Sequence, residues 1–165
     1  MKKDAKVANI DPQKVLRQFD QLQCAVIDAC SMIYLQRINL LAKLGAQLEL
    51  TTPAAVLHEA RLPASFSIKV FDELSRAPAD RQLIDLALKL GCPVISDDRK
   101  VLARADRHGL DYFNSLMMIF YLFHVGKLDR RQLLKKREQI RVFAYYAPWI
   151  EAFADRLFDL MNKNA

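Results

Sequence analysis

Cys24-Ala25-Val26-Ile27-Asp28 is a short apolar run with no polar alternation, closed by a carboxylate. Alternation would mark a strand with one wet face, whereas a continuous run marks a strand covered on both, as in a parallel sheet. Pro93-Val94-Ile95-Ser96 repeats the pattern and is closed by Asp97-Asp98. Around these two runs the spacing turns helical. Asp11-Pro12 supplies an N-cap and a first-turn proline for a helix carrying Val15, Leu16 and Phe19 to about Asp20. After Asp28, helical spacing runs through Met32, Ile33, Leu35, Ile38, Leu40 and Leu41. A second strand is expected over 48–51, and Thr52-Pro53 opens a helix through Val56, Leu57 and Ala60. A strand over 68–71 precedes a helix bearing Leu83, Ile84, Ala87, Leu88 and Leu90, which Gly91 ends. A helix over 99–108 stops at Gly109, a last strand covers 111–113, and Asn114-Ser115 caps an apolar helix over 116–125. Beyond Gly126 the chain is basic and helical, in two pieces around Pro148.

Strands alternating with helix-length connections predict an α/β fold, a central, mostly parallel twisted sheet flanked by helices, with extra C-terminal helices. The 165 residues suit one domain, and 52% hydrophobic with 27% charged residues excludes general disorder. The expected organisation is a tail and helix over 1–22, with 1–10 polar, a core over 23–126, and a basic helical extension over 127–165 packed on the same domain. The longest apolar run, 116–125, holds His124 and falls short of the roughly 20 residues a bilayer helix needs. No membrane partner is expected. With no apolar stretch behind the N-terminal charges, the expected location is cytoplasmic. Cys24, Cys30 and Cys92 form no CxxC pair and no even disulfide framework, so they are expected as reduced, small buried hydrophobes. A formal charge of +6 favours polyanionic partners, nucleic acid above all.

In open α/β sheets ligands bind beyond the carboxyl ends of the strands, where strand order reverses. Asp28, Asp97 and Asp98 follow apolar runs and would project into such a cleft. Glu59 and Asp80 could reach it from helices. Asp85 lies about 140° round the helix from Asp80 at about 100° per residue, so Asp80 is the inward candidate. Convergent carboxylates without His or Cys companions make a hard-oxygen cation site, with Mg²⁺ or Mn²⁺ the expected occupant. Such an ion keeps crowded carboxylates ionised and supports in-line displacement at phosphorus. Taken singly, Asp28 and Asp98 also read as N-caps, Glu59 as a solvated helix residue, and Asp80 as an acid at the favourable end of a helix dipole.

The segment Ala25-Val26-Ile27-Asp28-Ala29-Cys30-Ser31-Met32-Ile33-Tyr34-Leu35 resembles the opening of a PIN domain. Thr52-Pro53-Ala54-Ala55-Val56-Leu57-His58-Glu59-Ala60 is similar to that family's second block. Asp80 with Leu83-Ile84, Ala87 and Gly91 resembles the third, and Val94-Ile95-Ser96-Asp97-Asp98 the fourth. The resemblance covers roughly residues 24–126, and Ser96 stands where threonine is frequent. It implies a metal-dependent ribonuclease acting on single-stranded RNA, often the VapC-type toxin of a toxin–antitoxin pair and often a homodimer. Asp28, Glu59, Asp80 and Asp98 would then be catalytic, with Asp28, Asp80, Asp98 and Asp97 the metal set. Ser96, Arg99, Lys100, Asn114 and Ser115 are the candidate substrate contacts. RNA substrate and an antitoxin protein are the implied partners. The extensions over 1–22 and 130–165 exceed a minimal toxin, and a non-catalytic PIN-like RNA-binding or assembly module is the alternative.

Two further features stand outside those blocks. Lys127, Arg130, Arg131, Lys135, Lys136, Arg137 and Arg141 crowd one segment against Asp129 and Glu138. Arg130, Arg137 and Arg141 fall near one helical stripe that could track phosphates, with a solvated face the plainer reading. Tyr145, Tyr146 and Trp149 could stack on bases, or anchor a terminal helix.

Overall fold

The computed structural model describes residues 10–62, 68–72 and 76–164. Nearly all of the polar tail expected over 1–10 lies outside them. The chain divides into two compact units, Gln23–Ile119 and Met1–Leu22 with Phe120–Ala165.

The first unit is α/β. Strands β1 (Cys24–Ile27), β2 (Glu49–Pro53), β3 (Ile68–Phe71), β4 (Val94–Ile95) and β5 (Tyr112–Phe113) form one sheet in the order β3-β2-β1-β4-β5. Every neighbouring pair is parallel, with Val26 opposite both Thr51 and Val94. The unbroken apolar runs have their expected cause: Ala25, Val26, Ile27, Val94 and Ile95 are wholly buried, because helices cover both faces of a parallel sheet. The connecting helices are α2 (Ala29–Arg37), α3 (Leu41–Gly45), α4 (Ala54–Ala60), α5 (Ala79–Leu90) and α6 (Arg99–Arg107), and α7 (Ser115–His124) follows β5. This architecture is consistent with the PIN-like fold that the sequence resembles.

Three details depart from the sequence reading. The helix expected to run through Leu41 breaks in two, because Asn39 adopts a left-handed backbone (φ 57°) that an α-helix cannot continue through. Thr52 and Pro53 finish β2 rather than open a helix turn. Thr52 is fully buried and its hydroxyl donates to the Ile27 carbonyl at 2.9 Å, which leaves Pro53 as the cap of α4. Lastly, Cys24 and Cys92 are joined in a disulfide, their Cα atoms 5.8 Å apart, and only Cys30 is a free thiol. The expectation of three reduced cysteines is thereby corrected. Val26 faces Val94 in the ladder, so the residues two places earlier on each chain come alongside. That adjacency arises only once β4 returns to the far side of β1.

The second unit contains α1 (Pro12–Gln21), the C-terminal turns of α7, α8 (Arg130–Arg141) and α9 (Pro148–Lys163). Asp11 caps α1 through the Gln13 N–H at 3.0 Å. Asp129 and Gln132 form a reciprocal capping box on α8. Phe19 meets Tyr121 edge-on at 5.6 Å between ring centres, and His124 Nε2 lies 2.7 Å from Asp20. Arg137 is buried, bonded to Glu151 and Asp155 at 2.8 Å each. Arg141 bonds Glu151 at 2.8 Å and also Glu138, while the Arg130 guanidinium lies over the Phe158 ring. Of the stripe Arg130, Arg137 and Arg141, the last two are therefore occupied with internal ion pairs, while Arg130 stays exposed. Among the described residues no helix is long and apolar enough to cross a membrane.

Candidate active site

The chain lays down β1, β2 and β3 in one direction and then returns to place β4 and β5 on the other side of β1. Crossovers leaving in opposite directions open a crevice beyond the carboxyl ends of the two central strands. Asp28 leaves β1 at that crevice, and Ser96-Asp97-Asp98 leave β4. The main chain fixes both exits. The Asp28 N–H donates to the Ile95 carbonyl at 2.9 Å, and the Ser96 N–H to the Phe113 carbonyl at 3.0 Å.

Asp28 is 7% exposed. Its Oδ1 accepts from the Ala29 N–H at 2.8 Å, and its Oδ2 from the Ser96 hydroxyl at 2.7 Å. Ser96 is wholly buried, and its Oγ accepts in turn from the Asp98 N–H at 3.1 Å. One hydroxyl thus joins the two strand ends. Burial pushes the Asp28 carboxyl above its usual range; the Ser96 and Ala29 hydrogen bonds pull it back, and the negative charges of Asp80 and Asp98 raise it again. Asp80 sits half-buried in the first turn of α5, while Asp85 is exposed and lies 3.9 Å from Arg81, as the helical phase predicts.

Asp98 and Asp97 do different work. Asp98 is exposed and caps α6, its Oδ1 accepting from the Lys100 N–H at 2.8 Å; its Oδ2 takes no hydrogen bond among the described residues. Asp97 is clamped. Its Oδ2 accepts from the Ser31 hydroxyl at 2.7 Å and from the Ser115 hydroxyl, and the Ser115 N–H donates to its Oδ1 at 3.2 Å. Asp97 therefore ties the starts of α2 and α7 to the end of β4. Asn114 caps α7 through the Met117 N–H at 2.9 Å, and Ser115 is wholly buried. Arg99 and Lys100 are exposed at the start of α6. Glu59 is exposed on α4 and makes no side-chain hydrogen bond or ion pair among the described residues.

The sequence reading placed Cys30 near the cleft with no base to make it a nucleophile, and did not single out Ser31. Cys30 Sγ lies 3.9 Å from Asp28 Oδ2, and burial together with the charges of Asp28 and Asp97 raises its thiol. Burial and the Asp97 charge likewise raise Tyr34. Ser31 stands three residues after Asp28, but that spacing carries no sign that it meets Asp97, which is 66 residues away.

No family model and no curated protein matches this chain.

Among the described residues, no three His, Cys, Asp or Glu side chains gather closely enough to cage a metal ion by themselves. The donors fit a cation that needs few protein ligands. Mg²⁺ keeps several waters and takes one or two carboxylates plus substrate phosphate. Asp28 feels the charges of Asp80 and Asp98, and none of the three is paired with a Lys or Arg among the described residues, in a chain with 25 such cations. Carboxylates left mutually repelling and without a cation are chemically suited to an external one.

Proposed function

We propose that the chain is a Mg²⁺- or Mn²⁺-dependent endoribonuclease of the PIN type, hydrolysing single-stranded RNA. The observation that carries this reading is the link Asp28–Ser96–Asp98 across the switch point, with Asp80 acting on the same buried carboxylate. Asp28 and Asp98 would hold the ion, with Asp80 nearby and Glu59 as an outer acid. A bound divalent ion supplies charge stabilisation and an acidified water. Ser96 holds Asp28 in one rotamer, and Asp97 sets the angle between β4, α2 and α7 through Ser31 and Ser115. Arg99 and Lys100 offer positive charge to flanking phosphates. Water attacks phosphorus and gives up a proton to solvent, the P–O3′ bond breaks, and the leaving oxygen takes a proton from solvent, so the products carry a 5′-phosphate and a 3′-hydroxyl.

The test is cleavage of a single-stranded RNA with Mg²⁺ or Mn²⁺, with and without chelator. Asp28→Asn and Asp98→Asn should each abolish cleavage, and parent-like cleavage by Asp28→Asn overturns the assignment. A second reading, a PIN-like module without turnover, draws on the exposed Glu59 and on the lack of a three-residue cage among the described residues. It predicts no heat of Mn²⁺ binding in calorimetry. A toxin role would be supported by growth arrest on expression, relieved by Asp28→Asn.

A further inference from the structure

We infer that the outward face of α8 and the turn into α9 form a binding surface for single-stranded RNA, with Tyr145 and Trp149 as stacking platforms and Arg131 and Lys135 as phosphate contacts. The inference takes from the proposed function only that the ligand is RNA. The cations Arg137 and Arg141, which a sequence stripe would favour, are satisfied by Glu151, Glu138 and Asp155. What remains outward is different. At about 100° per residue, Arg131, Lys135 and Val142 fall within roughly 40° of one another, with Leu134 beside them. All four are exposed, Val142 at 85%. Arg131 and Lys135 make no ion pair or side-chain hydrogen bond among the described residues. Glu138 shares the face, but Arg141 bonds it.

The chain runs from this face into two exposed aromatic residues. Tyr145 follows Val142 by three residues and is 82% exposed, whereas its neighbour Tyr146 is buried. Trp149, in the first turn of α9, is 40% exposed. Anchoring therefore falls to Tyr146, which leaves the Tyr145 ring and part of Trp149 in water past the end of the helix that carries the unpaired cations. Free cations along the helix followed by exposed aromatic rings past its end suit a strand that offers both phosphates and bases, and stacking accepts any base. A protein partner for an apolar patch would not need the two unpaired cations.

Trp149 is the only tryptophan in the chain, so its emission reports on this face directly. The experiment titrates full-length Asp28→Asn protein with a short oligouridylate and follows tryptophan fluorescence and RNA anisotropy. Saturable quenching is expected. Tyr145→Ala should weaken binding by about 5- to 100-fold, and Arg131→Ala with Lys135→Ala should lower the salt slope by about 1.4. Circular dichroism verifies that these surface variants fold. RNA binding that leaves Trp149 emission and the Tyr145→Ala affinity unchanged overturns the inference. So does a Trp149 signal that follows protein concentration alone, since a second copy would then cover the face. Cleavage by the parent without quenching removes this inference and spares the nuclease. Quenching without cleavage does the reverse.

Discussion

Replacing Ser96 with alanine removes one oxygen from a wholly buried position and breaks two links at once. Asp28 Oδ2 loses its 2.7 Å donor and retains only the Cys30 thiol at 3.9 Å, while the Asp98 N–H loses its acceptor. A hydrogen bond to a charged group contributes about 1.5–3 kcal/mol. For a chain of this size each kcal/mol shifts the melting temperature by about 2–4 °C, so Ser96→Ala should melt about 3–12 °C lower near neutral pH. The Ser96 donor also lowers the Asp28 pKa, so its loss should move the acid limb of the pH–rate profile to higher pH. Turnover should fall about 10–100-fold, the usual effect of losing a support to a ligating carboxylate. Ser96→Thr keeps the hydroxyl and should keep the parent's acid limb. Thermal unfolding by circular dichroism and a pH series of initial cleavage rates are the assays. A Ser96→Ala protein with the parent's melting temperature and acid limb would refute the bridging role.

Asp28→Asn should lose activity yet melt higher than the parent near neutral pH. Burial raises the Asp28 pKa, so the stability it contributes is fully present below its unfolded pKa and lost as pH rises through the folded value. The gain should vanish in acid, and calorimetry at several pH values decides. Cys92→Ser should cost about 4 kcal/mol in a chain-entropy model, because the Cys24–Cys92 bond spans 68 residues of sequence. Guanidinium unfolding with and without reductant should show that loss, and identical midpoints would refute it. Arg137→Ala removes the ion pairs of a buried guanidinium but leaves Glu151 held by Arg141, and should cost about 1.5–3 kcal/mol, with Arg137→Met milder. Hydrogen bonding from Arg141, and then Arg137, holds the Glu151 carboxyl below its usual range. Its contribution is present above the unfolded pKa and lost as pH falls through the folded one, so Glu151→Gln should flatten acid unfolding in that window.

Much of the scaffold is legible locally. The run 24–27 predicts a doubly covered strand, and it becomes one because covering helices remove both faces from water. Asp11, Asp28, Asp98 and Asn114 each predict a helix start, and each side chain accepts a backbone N–H there. Those signals act over one turn, so composition and spacing contain them. Apart from the local break at Asn39, the departures come from contacts over long sequence distances. Thr52 reads as a helix opener until Ile27 offers it a carbonyl 25 residues away. Arg137 reads as part of a phosphate stripe until Glu151 and Asp155 meet it from the next helix.

At the acidic crevice the division is sharp. Residue types alone placed Asp28 and Asp98 at strand exits, since a carboxylate after a buried run has nowhere else to go but the open end of the sheet. Whether those exits are neighbours depends on strand order, which no local pattern encodes. By returning β4 to the side of β1, the fold made Ser96 a bridge between the Asp28 carboxylate and the Asp98 main chain, turned Asp97 aside to clamp Ser31 and Ser115, and brought Cys24 against Cys92. Periodicity reports which face of an element is dry; only the packed chain decides what lies across from it.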